Sequence, residues 1–273
     1  MSALVPITAD FDLASIDPDS HPGVDDKKVA EQQLEETHDP LGELQERLFA
    51  ESKFGGTRSV LLVLQAMDTA GKGGIIRHVV GGVDPQGVHI HAFKAPTDEE
   101  KQHDFLWRVR RELPKPGIIG VFDRSHYEDV LIHRVRGFSS PEVVEERYGI
   151  IADFERELVA SGTSIIKVML HISSDEQKAR LAERLDRPDK HWKYNPGDID
   201  ERMLWPAYQE AYQIALSRTT TSDAPWYVIP ANSKWYARWA VQRLLFEALT
   251  KLDPQWPAAD YDVEAEKVRL AAT

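Results

Sequence analysis

The chain has 273 residues, of which 42% are hydrophobic and 29% charged, a soluble globular composition with enough apolar content for one large α/β domain or two small ones. It contains no cysteine, which excludes disulfides, thiol nucleophiles and cysteine-ligated metals, and no window reaches the apolar length of a membrane span. The formal net charge of −12 argues against general binding to nucleic acid or anionic membranes, so a cytoplasmic enzyme is the default expectation.

The acidic charge sits at the ends. Residues 1–50 carry 12 acidic and 3 basic side chains, and residues 252–273 carry 5 acidic and 2 basic, which leaves the span between them neutral. Residues 1–25 hold several Asp and Pro without a period, and the acidic start lacks the basic region that opens a signal peptide. Residues 1–40 therefore read as an acidic arm, partly disordered or extended. Leu41, Leu44, Leu48 and Phe49 then recur at helical spacing and predict a helix over 41–52 that leads into the first strand.

Apolar runs at Val60–Leu64, Val88–Phe93, Ile118–Phe122, Ile165–Ile172 and Trp226–Ile229 predict five strands. Helical patterns lie between them, near 72–81, 98–113, 126–135, 141–161, 174–186 and 200–218, with a last one near 234–251. The helix over 141–161 has the fullest set of signals: Ser140 as cap, Pro141 in the first turn, Glu142 at the positive end of the dipole, and Gly162 after the end. The main domain then spans 41–252, followed by a tail over 253–273. Near-continuous apolar strands separated by helices imply a parallel sheet covered on both faces, with ligands bound beyond the carboxyl ends of its strands.

The first predicted strand ends in QAMDTAGKGG, residues 65–74. A phosphate-binding loop normally reads Gly, four residues, then Gly-Lys-Ser/Thr. Ala66 stands at the first glycine here, and Gly73 replaces the hydroxyl that would bind magnesium. Gly71, Gly73 and Gly74 still give a permissive backbone, and Lys72 supplies a mobile positive charge for a phosphoryl group. Asp68 offers a carboxylate in place of the missing hydroxyl, a stronger ligand for a hard cation. The alternative is a strand–turn–helix whose glycines serve only the turn.

Asp123 ends the third predicted strand, where related loops keep a second metal-site carboxylate, and Arg124 beside it offers a fork for phosphate oxygens. Further on, ERLDRPDKHWKYNPGD over 183–198 carries Arg184, Arg187, Lys190 and Lys193 among turn residues. It reads either as a lid over phosphates or as a solvated loop whose charges neutralise one another. His89 and His91 share a strand face without a third ligand in view, which disfavours a metal site. His126 reads as structural or phosphate-contacting.

Taken together, LLVLQAMDTAGKGGIIRHV, GVDPQGV, HDFLWR, IIGVFDRSHYEDVL and RPDKHWKYNPGDIDER resemble the second polyphosphate kinase family, in unbroken order over about residues 41–252. The resemblance implies a P-loop kinase-like three-layer αβα sandwich with a five-stranded parallel sheet and a helical lid near 183–200. It implies transfer of a phosphoryl group between inorganic polyphosphate and adenine nucleotides, with guanine nucleotides as further acceptors. Mg²⁺, with Mn²⁺ as its substitute, is expected on Asp68 and Asp123. Ala70, Gly71, Lys72, Gly73, Gly74, Arg77, Arg124 and Arg134 are expected on phosphates, and Arg184, Arg187, Lys190 and Lys193 in the lid. SHYEDV resembles the branch acting on both AMP and ADP and puts His126 and Glu128 on the acceptor side. A homo-oligomer, dimer or tetramer, is expected. An ATP-dependent nucleoside monophosphate or small-molecule kinase and a non-catalytic nucleotide-binding switch are the competing readings.

Overall fold

In the computed structural model, which describes residues 4–24 and 26–273, five strands form one parallel sheet. They are β1 (Ser59–Ala66), β2 (Val88–Ala92), β3 (Ile119–Asp123), β4 (Thr163–His171) and β5 (Trp226–Pro230), in spatial order β2-β3-β1-β4-β5. Each lies within two residues of its expected position. Their apolar runs are nearly continuous because both faces of the sheet are covered. Along β1 the side chains alternate: Val60, Leu62 and Leu64 join one core cluster, and Leu61 and Val63 the other.

The helices are α1 (Lys27–Lys53), α2 (Lys72–His78), α3 (Trp107–Arg111), α4 (Ile132–Arg136), α5 (Pro141–Ala160), α6 (Ser174–Asp186), α7 (Gly197–Arg202), α8 (Trp205–Thr219), α9 (Lys234–Leu252) and α10 (Val263–Ala271). α1, α2 and α9 pack on the face with Val60; α5 and α8 cover the other. α5 starts as its sequence predicts, with the Ser140 hydroxyl accepting from the Val143 N–H and Pro141 in the first turn.

Several elements differ from expectation. α1 begins at Lys27, capped by Asp26, well before Leu41. Over its first half only Ala30 is fully buried, so no apolar stripe shows. Polar contacts to α9 hold it instead: Trp239 Nε1 donates to Gln33, and the Gln242 amide donates to Leu34 O and Thr37 Oγ1. Residues 4–24 run over the body through turns and a 3-10 helix (Leu13–Ser15), fastened with Leu4, Leu13 and Val24 buried and the Leu13 N–H donating to Gln213 at 2.7 Å. Residues 1–3 and 25 of the expected arm lie outside the described residues. The segment near 98–113 breaks into a 3-10 turn (Glu100–Gln102) and α3, because the Asp104 side chain takes the Leu106 N–H. Pro206, locked into the first turn of α8, divides the expected 200–218 helix into α7 and α8. α10 lies in the tail and is exposed throughout.

Candidate active site

The carboxyl ends of β1 and β3 lie side by side, with Leu64 paired to Asp123 in register. From β1 the chain turns through Met67–Gly71 into α2. Gly71 caps α2 with φ of +117°, a conformation that side-chain-bearing residues rarely adopt. Thr69, also left-handed at +67°, stores strain in the same loop. The Lys72 ammonium folds back to donate to Ala66 O at 3.3 Å. Arg180, from α6, fastens the loop from behind. Its Nη1 donates to Thr69 O and Ala70 O at 3.0 and 2.9 Å, and its Nη2 to Ala231 O and Asn232 O at 2.7 and 2.9 Å. Gln177 Nε2 adds a bond to Asp68 O at 3.2 Å, and Arg202 of α7 donates to the same Gln177 side chain.

Arg124 follows Asp123 and is the second left-handed non-glycine residue at the site, with φ of +63°. That turn aims its guanidinium across the sheet end, where Nη2 donates to Asp68 Oδ1 at 2.7 Å. Burial works against the Arg124 charge, but Asp68 and Glu128 outweigh it with help from Asp123, and its pKa rises. Glu128 lies in the 3-10 turn His126–Asp129. Burial pushes its carboxyl above the usual range although Arg124 and Lys72 pull the other way. With its amide oriented to satisfy both neighbours, Gln65 donates to Glu128 at 3.0 Å and accepts from Ser125.

Two cavities meet here. One, of about 570 Å³, is lined by Asp68, Ala70, Gly71, Lys72, Gly73, Gly74, Arg77 and Asp123 together with Arg184, Lys190 and Lys193. The other, of about 340 Å³, has Met67, Phe93, Leu131, Phe138, Tyr208 and Tyr212 as its apolar lining, and Glu128 and Glu201 among its polar groups. Asp68, Phe93, Lys94, Arg124 and Asp198 line both. The first is dominated by cations and suits a polyanion; the second combines aromatic walls with polar groups and suits a nucleoside.

Some expected residues point elsewhere. His126 is 1% exposed, with Nε2 lying 3.3 Å from Glu155, so it packs in the core and not on the acceptor side. Arg134 lines neither cavity and reaches Glu210 on α8 at 3.7 Å. Arg187, half-exposed, is absorbed by Glu183 and Asp189, as the solvated-loop reading would have it, whereas Arg184, Lys190 and Lys193 face the cavity. His89 and His91 both contact Glu112, at 2.9 and 3.0 Å. Sequence reasoning missed Arg180, Lys94, Asp198, Lys234 and Arg238. Lys234 and Arg238 extend the cationic lining past His78, whose imidazole is held below its usual pKa by burial and then by Arg238 and Arg77. Nothing in their local sequence distinguishes them from surface charges.

The donor set bears on a divalent ion. Asp68 and Asp123 line one cavity. Two carboxylates are a donor set that Mg²⁺ accepts, since it takes one or two of them and completes its shell with phosphate oxygens and water.

Residues 24–257 match the profile of the family described as polyphosphate kinase 2. The chain is 48% identical, over 90% of its length and 91% of the relative's, to a protein of Meiothermus ruber named AMP/ADP-polyphosphate phosphotransferase. It is 42% identical, over 80% and 78%, to one of Rhodopseudomonas palustris named ADP-polyphosphate phosphotransferase. The crystal structure of polyphosphate kinase 2 from Arthrobacter aurescens superimposes with a TM-score of 0.96 at 56% identity, covering 98% of this chain and 95% of that one.

Proposed function

The chain belongs to the polyphosphate kinase 2 family, and we propose that it is a polyphosphate-dependent nucleotide kinase, moving a terminal phosphoryl group reversibly between inorganic polyphosphate and AMP or ADP. The observation that carries this reading is the shared wall of the two cavities. A polyanion in the cationic cavity and a nucleotide in the aromatic one would present their phosphates to each other across Asp68, Lys94 and Arg124.

The acceptor oxygen is already ionised near neutral pH, so the transfer requires alignment and charge neutralisation more than a general base. Lys72 follows the moving phosphoryl group, Arg124 bridges donor and acceptor, and Arg184, Lys190 and Lys193 close over the chain and exclude water. Glu128 and Gln65 set the acceptor side. Asp68 and Asp123 hold Mg²⁺, or Mn²⁺ in its place. When bound, that ion neutralises charge on the phosphate under transfer. AMP and ADP are the acceptors, with guanine nucleotides as further ones. The chain works as a homo-oligomer in the cytoplasm; among the described residues no helix is long and apolar enough to cross a membrane.

A luciferase assay tests the reading. Polyphosphate plus ADP should yield ATP with no other donor present, and polyphosphate plus AMP should yield ADP. A protein that phosphorylates AMP only from ATP is an ordinary nucleoside monophosphate kinase. One that binds nucleotide without turnover is a switch.

A further inference from the structure

The turn that carries Arg124 and Glu128 into the cavities is held from behind by buried ionic groups that line neither cavity. Lys167, in the middle of β4, has no exposed surface. Its ammonium donates to Glu155 Oε2 at 2.5 Å, to Thr219 O at 2.8 Å and to Tyr127 OH at 3.1 Å, which uses all three hydrogens. Glu155, on α5, accepts from Tyr127 OH through Oε1 at 2.7 Å, and His126 Nε2 lies 3.3 Å from that oxygen. His126 and Tyr127 thus face backward from the turn whose Arg124 and Glu128 face forward. On the cavity side the turn is tied to β1: the Arg124 N–H donates to Leu64 O at 3.0 Å, and the Gln65 amide spans Ser125 and Glu128.

Filling a core with an ion pair gains little stability over apolar side chains of equal volume. What it adds here is direction. Apolar contacts tolerate sliding, whereas a hydroxyl bonded to both a carboxylate and an ammonium has one geometry. Residues 124–128 are gripped between β1 and this pair, and Arg124 is kept in a left-handed conformation that costs energy and needs such support.

We infer that the Lys167–Glu155 pair is a positioning element for phosphoryl transfer: through Tyr127 and His126 it fixes the turn from which Arg124 and Glu128 reach the reacting phosphates. The inference rests on the function proposed above. Tyr127→Phe deletes only the hydroxyl that links the pair to the turn. Glu155→Gln keeps an acceptor and removes the charge. Thr163→Val is the control, since the Thr163 hydroxyl pairs with Ser59 Oγ at 3.0 Å, buried at the far end of the same sheet and away from the turn.

Full-length variants are assayed well below their melting temperatures with polyphosphate and AMP or ADP. Tyr127→Phe and Glu155→Gln are expected to lose at least ~10-fold in kcat with polyphosphate KM within ~2-fold of wild type. Thr163→Val is expected to melt earlier yet keep kcat within ~2-fold. Near-normal kcat in Tyr127→Phe, or loss of activity in all three in step with melting temperature, overturns the inference. Should Glu155→Gln fail to fold, Tyr127→Phe decides alone. A wild-type chain without polyphosphate-dependent transfer would refute the proposed function itself, before any variant is compared.

Discussion

Arg180 offers the sharpest test of how the loop between β1 and α2 is held. Its side chain is 6% exposed, and its guanidinium donates to Glu176 at 2.6 Å as well as to four backbone carbonyls. Two of those carbonyls belong to the loop after β1 and two to the segment after β5, so one residue joins both. Arg180→Met keeps the stem and removes every donor. Hydrogen bonds from a charged group contribute about 1.5–3 kcal/mol each but do not add. Breaking a buried charged hub costs about 3–5 kcal/mol. At about 2.1 cal/mol/K of unfolding entropy per residue, that loss lowers the melting temperature of a chain this long by about 5–9 °C. Calorimetry reads the shift, and steady-state kinetics should show a raised polyphosphate KM because Thr69 and Ala70 lose their support. Arg180→Lys should recover only part of either effect, since an ammonium cannot span both segments. An Arg180→Met protein melting within ~2 °C of wild type would show that the loop holds itself.

Asp68→Asn should cut turnover by at least ~100-fold if its carboxylate holds the metal, and chelation should abolish activity until Mg²⁺ is returned; near-normal rates in either case reject the assignment. Glu128 has a folded-state pKa raised above the ordinary 4.5 by burial, so its charge costs stability above that raised value and nothing below 4.5, where folded and unfolded forms are both protonated. Glu128→Gln should therefore melt higher than wild type at neutral pH, lose that advantage as the pH falls toward 4.5, and turn over more slowly. An advantage that persists in acid would contradict the sign. In the lid, Lys190→Ala and Lys193→Ala should each raise polyphosphate KM by ~3–10-fold, while Arg187→Ala should change it less than ~2-fold. Equal damage from Arg187→Ala would mean its two carboxylate partners release it when substrate binds.

The strands were legible because a sheet buried on both faces writes itself as continuous apolar runs, and the turn from β1 into α2 because Gly71 supplies its left-handed cap locally. α1 was legible only in its second half, where Leu41 and Leu48 are buried. Its first half is held by amide and indole contacts to α9 that leave no period in the sequence. Arg180, Lys94 and Asp198 could not be singled out, because each acquires its role from elements distant in the chain. His126, Arg134 and Arg187 erred the other way. Sequence neighbourhood placed them at the site, but a 3-10 turn sends His126 inward, and nearby carboxylates claim the two arginines.

The arm ahead of α1 has a consequence for the sheet's margins. On the outer edge of β5, the Trp226 carbonyl accepts from the Ile7 N–H and the Trp226 N–H donates to Thr220 Oγ1. At the opposite edge, β2 is short and flanks its exposed Ile90 with two imidazoles turned toward Glu112. Tied down at Trp226 on one border and made polar at the other, the sheet gives a foreign strand little purchase. Edge-to-edge pairing of strands, the route to amyloid-like stacking, is thereby disfavoured.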